Sequence, residues 1–194
     1  MLRVLMHTLR KSLRPEISPK QFGFMPDKGT RNAIFTLIML MERCIEMLKD
    51  LHLCFIGYSK AFDKVRHVEL FRMLEKLDID GKYLRVIRNL HWDQTASVRI
   101  EGELSDFKPI KRDVRQGCVM SPDLFNLYSE IILRNLDGIS GLKINGENLN
   151  NLRYADDTVL IAESDKQLQK LLDTVVLEID WLIDYWYTQS TIKR

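Results

Sequence analysis

Asn151-Leu152-Arg153-Tyr154-Ala155-Asp156-Asp157-Thr158-Val159-Leu160-Ile161-Ala162 is the stretch whose reading decides the fold. An apolar-bearing run, Leu149 to Arg153, meets a polar tip, and a second run of β-branched and aliphatic residues follows from Thr158 to Ala162. That pattern predicts a β-hairpin with Asp156 and Asp157 exposed at its tip. Two adjacent carboxylates repel each other. Water tolerates such a pair, as in an ordinary acidic turn. A cation between them does too, and paired hard oxygen donors suit Mg²⁺, which keeps several waters and shares its sphere with substrate phosphates. On this stretch alone both readings stand.

Around it lies a chain of 194 residues, 45% hydrophobic and 29% charged, which places it among globular proteins with a substantial core rather than disordered or fibrous ones. That length allows one large domain or two small ones. The net charge of +2 says little, but its distribution says more. Residues 1–31 hold seven Lys or Arg (Arg3, Arg10, Lys11, Arg14, Lys20, Lys28, Arg31) against Glu16 and Asp27. Residues 121–190 hold twelve Asp or Glu against five Lys or Arg. A basic face suits a polyanion and an acidic cleft suits a divalent cation. Cys44, Cys54 and Cys118 are odd in number and lack metal-ligand spacing, which predicts reduced thiols in an intracellular protein, nuclear or cytoplasmic. The longest apolar run, Ala33 to Met41, is nine residues with Thr36 inside it and too short to span a bilayer. The first residues lack the apolar core of a signal peptide, so no membrane partner is expected.

Working outward, the apolar spacing predicts a short amphipathic helix over residues 1–14, ended by Pro15 and Pro19. Thr30 reads as the N-cap of a helix from about Arg31 to Lys49, apolar nearly all round and so expected to be buried on several sides. Leu51 to Ile56, ending at Gly57, reads as a buried strand. Helices are expected near His67–Leu77 and Lys82–Trp92, and a hairpin from Thr95 to Ile110 turning at Glu101-Gly102. Ser121-Pro122 should open a helix to about Leu136, with Ser121 as its cap. Asn145-Gly146 marks a tight hairpin between Gly141 and Asn148. The spacing from Leu168 through Leu182 to Trp186 predicts a last helix over 165–187. Hairpins outnumber βαβ units, so the fold class expected is α+β: an antiparallel sheet with helices on one face.

Four segments stand in one order along the chain. They are Gln21-Phe22-Gly23-Phe24 through Gly29-Thr30-Arg31-Asn32-Ala33-Ile34; Phe55-Ile56-Gly57-Tyr58-Ser59-Lys60-Ala61-Phe62-Asp63-Lys64-Val65; Arg115-Gln116-Gly117-Cys118-Val119-Met120-Ser121-Pro122 through Tyr128; and Tyr154-Ala155-Asp156-Asp157. In that order and with those gaps, they make the chain similar to the reverse transcriptases of non-LTR (LINE-type) retrotransposons. The likeness runs from about Leu2 to Ala162 or slightly beyond. It implies a right-hand polymerase fingers–palm fold with the thumb missing. It further implies that residues 1–194 are a reverse transcriptase domain fragment: about 1–50 and 80–120 fingers-like, about 51–79 and 121–190 palm-like. The implied activity is RNA-directed DNA polymerisation, a nucleotidyl transfer. The implied partners are an RNA template, a DNA primer and dNTP, with Mg²⁺ or Mn²⁺ as cofactor; protein partners are not indicated.

The resemblance gives particular residues roles. Asp156 and Asp157 become catalytic metal ligands. Phe62 matches a bulky residue that stacks under the incoming sugar, though a plain core aromatic explains it too. Gln116 and Gly117 match a loop beside the nucleotide, or else a helix-entry turn. Lys28 and Arg31 are candidate triphosphate or template contacts, or ordinary surface charge. Tyr154 lies beside the primer end, or merely anchors the hairpin. There are departures as well. The family carries a third metal-binding Asp where this chain has Gly57, and glycine offers no carboxylate. Met25 stands where Arg is usual, and Asp27 and Asp113 stand where Gly is usual. Asp123 stands where an apolar residue is usual, set either against the core or exposed at a helix start. The paired Lys of the next family segment is not recognisable in Thr188 to Arg194. The expectation is an inactive or nearly inactive copy from a decayed retroelement. The competing expectation is a catalytically dead remnant that at most binds nucleic acid through its basic front.

Overall fold

A computed structural model of the protein describes residues 2–91, 94–115, 117–179 and 185–192. Helix α1 (Leu2–Leu13) runs into a 3-10 turn at Arg14–Glu16. Helix α2 (Thr30–Glu46) and strand β1 (Leu51–Tyr58) follow, then helices α3 (Ala61–Lys64), α4 (His67–Lys76) and α5 (Gly81–His91). Short strands β2 (Thr95–Ala96), β3 (Arg99–Ile100), β4 (Glu103–Leu104) and β5 (Lys108–Pro109) precede helix α6 (Ser121–Leu133). Strands β6 (Leu142–Ile144), β7 (Glu147–Leu149), β8 (Asn151–Tyr154) and β9 (Asp157–Ala162), helix α7 (Asp165–Ile179) and strand β10 (Tyr185–Ile192) complete the described elements. The chain divides into two compact units, one of Met1–Glu16 with Phe62–Tyr128, the other of Ile17–Ala61 with Ser129–Arg194. No described helix is long and apolar enough to cross a membrane.

The second unit is built on an antiparallel sheet in the order β10-β1-β9-β8. Register sets its faces, because side chains alternate along each strand and directly opposed residues share a face. Leu53 opposes Ile161, Phe55 opposes Val159, and Gly57 opposes Asp157, while Leu152 and Tyr154 oppose Val159 and Asp157 from β8. Those residues therefore lie on one face. Leu51, Leu53, Leu152, Val159 and Ile161 are buried there with Cys44 of α2, and Leu37, Leu40 and Met41 of that helix pack onto them. Helix α7 lies against β1 and β9, burying Leu168, Leu171, Leu172 and Val175. The β6–β7 hairpin turns at Asn145 (φ +51) and Gly146 (φ +83), as the Asn-Gly pair predicts.

In the first unit, α1 buries Leu5, Met6, Leu9 and Leu13 at helical spacing. Strands β3 and β4 pair at the inner end of a ribbon whose outer end pairs β2 with β5, so the expected hairpin exists as two short ladders. Its tip, Glu101 (φ +51) and Gly102 (φ +94), takes the left-handed region that such two-residue turns require. Asp80 opens α5 by accepting the Lys82 amide at 3.0 Å.

Some expectations need correction. Helix α2 is not buried on several sides: of its described residues only Cys44 is buried, and Ile34, Phe35, Ile38 and Ile45 are exposed. Gly29, not Thr30, holds its N-cap position, with its amide donating to Asn32 Oδ1 at 3.0 Å. The last helix ends at Ile179, and Trp186 sits in β10 rather than on a helix; Leu182, like Trp92, lies outside the described residues. Strand pairing with β1 outweighs a helical apolar spacing that is only a local preference. Ser121 is the first residue of α6, and its hydroxyl donates to the Arg115 carbonyl at 2.6 Å.

Candidate active site

The β8–β9 hairpin is closed by a two-residue tip, Ala155 and Asp156, with Tyr154 and Asp157 as the last opposed pair. Ala155 takes φ +55, a region that costs an alanine roughly 1–2 kcal/mol and turns the chain sharply enough to present both acids. Asp156 is half-buried and Asp157 exposed. Loss of surrounding water first, and the Asp156 charge second, push the Asp157 carboxyl above the usual carboxylate range. A carboxylate held that way favours any cation able to sit between the two acids.

The position directly across the sheet from Asp157 is Gly57. A side chain there would project from the same face as Asp157, with Cβ atoms about 4.5–5.5 Å apart. As glycine it contributes none. Among the described residues no three His, Cys, Asp or Glu side chains are grouped to hold one ion. The donor set is thus the Asp156–Asp157 pair alone, which fits a hard divalent cation that fills the rest of its sphere with water and phosphate oxygens.

The face carrying Asp157 and Tyr154 also bounds an apolar cleft of about 340 Å³, between α2 (Thr30, Ala33, Ile34, Leu37) and the sheet (Phe55, Leu152, Val159). On the opposite face, one residue before Tyr154, Arg153 is almost fully buried. Its guanidinium donates to Glu130 Oε1 at 2.7 Å and to Asn151 Oδ1 at 2.8 Å. Glu130 is buried as well, and accepts a second bond from the Ser18 amide at 2.9 Å. Burial pulls the Arg153 pKa down, and the Glu130 charge opposes that. Sequence reasoning passed over this pair. The signal was present as charge inside apolar elements, Arg153 in β8 and Glu130, the second acid after Asp123, in α6.

Lys28 and Arg31 belong to the same unit as the acids. Arg31 is exposed on the first turn of α2. Lys28 is engaged locally: its ammonium donates to the carbonyls of Pro19 (2.6 Å) and Gln21 (3.2 Å) and stands 4.9 Å from the centre of the Phe22 ring. Phe62 and Gly117 belong to the other unit. Phe62 stacks on Phe125 with ring centres 4.5 Å apart, and Gly117 sits in an exposed turn at φ +82. Gln116 lies outside the described residues. In that unit Asp123 is buried rather than exposed, gripped by Arg10 through Nε (3.2 Å) and Nη2 (2.9 Å). Asp113 takes φ +122, a conformation suited to the glycine the family pattern carries there. Burial first, and then the Asp63 charge, raise its carboxyl pKa.

A palm-like antiparallel sheet that lifts paired acids on a hairpin beside its central strand defines a fingers–palm polymerase fold. The reverse transcriptase (RNA-dependent DNA polymerase) family matches residues 1–184, and the chain belongs to that family. It is 29% identical over 155 residues to the Retrovirus-related Pol polyprotein from type-2 retrotransposable element R2DM of Drosophila melanogaster, covering 80% of this chain and 15% of that protein. It is 31% identical over 178 residues to the Retrovirus-related Pol polyprotein from type-1 retrotransposable element R2 of Popillia japonica, covering 89% of this chain and 25% of that one. Among solved structures, apo telomerase from Candida tropicalis, truncated from its C-terminal domain, superposes with a TM-score of 0.74 at 14% identity, over 100% of this chain and 41% of that one. The chain therefore spans a quarter or less of these two curated relatives.

Proposed function

We propose that this chain is an RNA-directed DNA polymerase domain of a non-LTR retroelement whose metal-dependent nucleotidyl transfer is crippled at Gly57. The observation that carries the proposal is the register: Gly57 directly opposes Asp157 at the one place where a third carboxylate would share a cation with the pair. Asp156 and Asp157 are the residues that would hold Mg²⁺ or Mn²⁺. When bound, such ions lower the proton affinity of a primer 3′-hydroxyl and neutralise the triphosphate. The chain's own residues orient and bind. Ala155 aims the acids, Tyr154 walls the primer side and Arg31 offers a cation to phosphate, and by the family resemblance Phe62, Gln116 and Gly117 are the nucleotide contacts. In this reading RNA template, DNA primer and dNTP are the substrates. Residues 1–50 and 80–120 act as fingers, and residues 51–79 and 121–190 as palm.

Primer extension by the purified chain and by Gly57→Asp tests it. The unmodified chain should extend poorly, and Gly57→Asp should gain about 100-fold or more, since even ligand-supporting changes cost about 10–100-fold at metal sites. Robust extension by the unmodified chain would refute the impairment.

One observation favours a remnant that binds nucleic acid without extending it. His7, Arg10 and Lys11 of α1 and Arg14 of the 3-10 turn after it recur at helical spacing and line one surface hollow, with Arg10 also paired to Asp123. Such a face suits phosphates. Binding to an RNA–DNA duplex should weaken steeply with salt, and replacing Lys11 and Arg14 by Glu should lower the slope of log K against log salt by about 1–2.

A further inference from the structure

The Tyr154–Asp157 tip does not stand alone, because the segment Lys20-Phe22 runs beside it. Gln21 and Arg153 form a parallel bridge: the Arg153 amide donates to the Lys20 carbonyl at 3.0 Å, and the Phe22 amide donates to the Arg153 carbonyl at 2.8 Å. The Gln21 side chain is fully buried and reaches the next turn of chain. Its Oε1 accepts from the Ala155 amide at 2.9 Å and from the Gly23 amide at 2.7 Å. Its Nε2 donates to the Ala155 carbonyl at 3.4 Å. One side chain thus satisfies both backbone groups of the residue that holds the left-handed conformation. Gly23 completes the fit. A Cβ there would stand 2.2 Å from the Ala155 nitrogen and 2.8 Å from its Cα, so only glycine lets the two backbones approach.

We propose that Gln21 and Gly23 are positioning residues that clamp the Ala155 turn and so fix the direction in which Asp156 and Asp157 point. The inference rests on the reading of those acids as the metal-binding pair, and adds the element that aims them. A two-residue tip with a strained alanine, set beside two repelling carboxylates, would otherwise sample several conformations. The amide of Gln21 is suited to the task because it accepts and donates at once. A buried backbone donor left without its acceptor loses an interaction that shifts a local opening equilibrium by about 5–150-fold.

The test uses backbone NMR on the whole chain, with Gln21→Met, Gln21→Glu and Gly23→Ala. In the unmodified chain the Ala155 amide should exchange with solvent as slowly as amides within β9. In Gln21→Met, which keeps the volume but has no donor and only a weakly accepting sulfur, Ala155 exchange should quicken by about 100-fold. The order parameters of Asp156 and Asp157 should fall from about 0.85 toward 0.6, while those of Leu160 and Ile161 stay fixed. Gln21→Glu, which keeps an acceptor oxygen, should restore most of the protection. Gly23→Ala should displace Ala155 and lose it. Rapid Ala155 exchange in the unmodified chain would overturn the clamp even if every variant failed to fold. Unchanged order at Asp156 and Asp157 in Gln21→Met, or no recovery in Gln21→Glu, would overturn it equally. None of these readouts passes through nucleotide addition, so an inactive Gly57→Asp chain would count against the proposed function and not against the clamp.

Discussion

Arg153 and the Asp156–Asp157 pair are three residues apart in the chain, yet the structure treats their charges in opposite ways. Arg153 points to the buried side of the sheet, where Glu130 and Asn151 meet its guanidinium. Asp156 and Asp157 stand at the tip with like charge beside like charge. A buried charge survives only with partners, because its desolvation exceeds what one weak contact returns. A partly exposed pair of like charges survives because water still reaches it, with a raised Asp157 pKa as the result, and it keeps the capacity to bind a cation. The first arrangement is architecture and the second is the proposed site. Gly57 sharpens the contrast: in the proposed site it offers no carboxylate opposite Asp157, while on the other face the Arg153 guanidinium is held through Nε and Nη1.

The largest effect should come from the architectural side. Glu130→Ala strands a buried guanidinium and should cost about 3–5 kcal/mol in urea unfolding. A cost below about 1 kcal/mol would mean that the two charges are not held differently after all. Gly57→Asp should follow, as a gain in primer extension with little change in unfolding midpoint. Asp113, in the other unit, offers a third kind of carboxylate, one sitting in a backbone conformation that glycine prefers. Asp113→Gly should stabilise the protein by about 1–2 kcal/mol, read as a raised denaturation midpoint. The smallest effect belongs to the tip itself. A carboxyl whose folded pKa is raised binds its proton more tightly in the folded state. Its contribution therefore weakens stability as pH climbs from the ordinary Asp range through the raised value, and is recovered on acidification. Asp156→Asn should move the Asp157 titration, followed by carboxyl ¹³C NMR, back toward the ordinary range and flatten that slope. A titration of Asp157 unaffected by Asp156→Asn would show that the two carboxylates do not feel each other.

Much of the fold was legible because it depends on neighbours in sequence. The Asn145-Gly146 and Glu101-Gly102 turns are local, and Asn145, Gly146 and Gly102 name the left-handed conformations they adopt, whereas the left-handed Ala155 of the acidic tip does not announce itself. Helix α2 was misread in its burial. Its apolar residues are visible in the sequence, but which of them face the sheet follows from packing, and Ile34, Phe35 and Ile38 do not. The end of α7 was misread because the apolar spacing continues past Ile179, whereas the chain pairs with β1 from Tyr185. Asp123 was left with two readings, and Arg10, its partner 113 positions away, decides between them.

By itself the sequence determined the order of motifs, the hairpin that carries two acids and the absence of a carboxylate at position 57. Turn chemistry and side-chain identity are properties of adjacent residues, so a linear reading reaches them. Tertiary structure alone decided that Gly57 faces Asp157, that Glu130 neutralises Arg153 and that Gln21 grips Ala155. Each joins residues from 23 to 134 positions apart. Only the folded register brings such partners within hydrogen-bonding or cross-strand reach, because those interactions fade within a few ångströms and carry no trace along the chain.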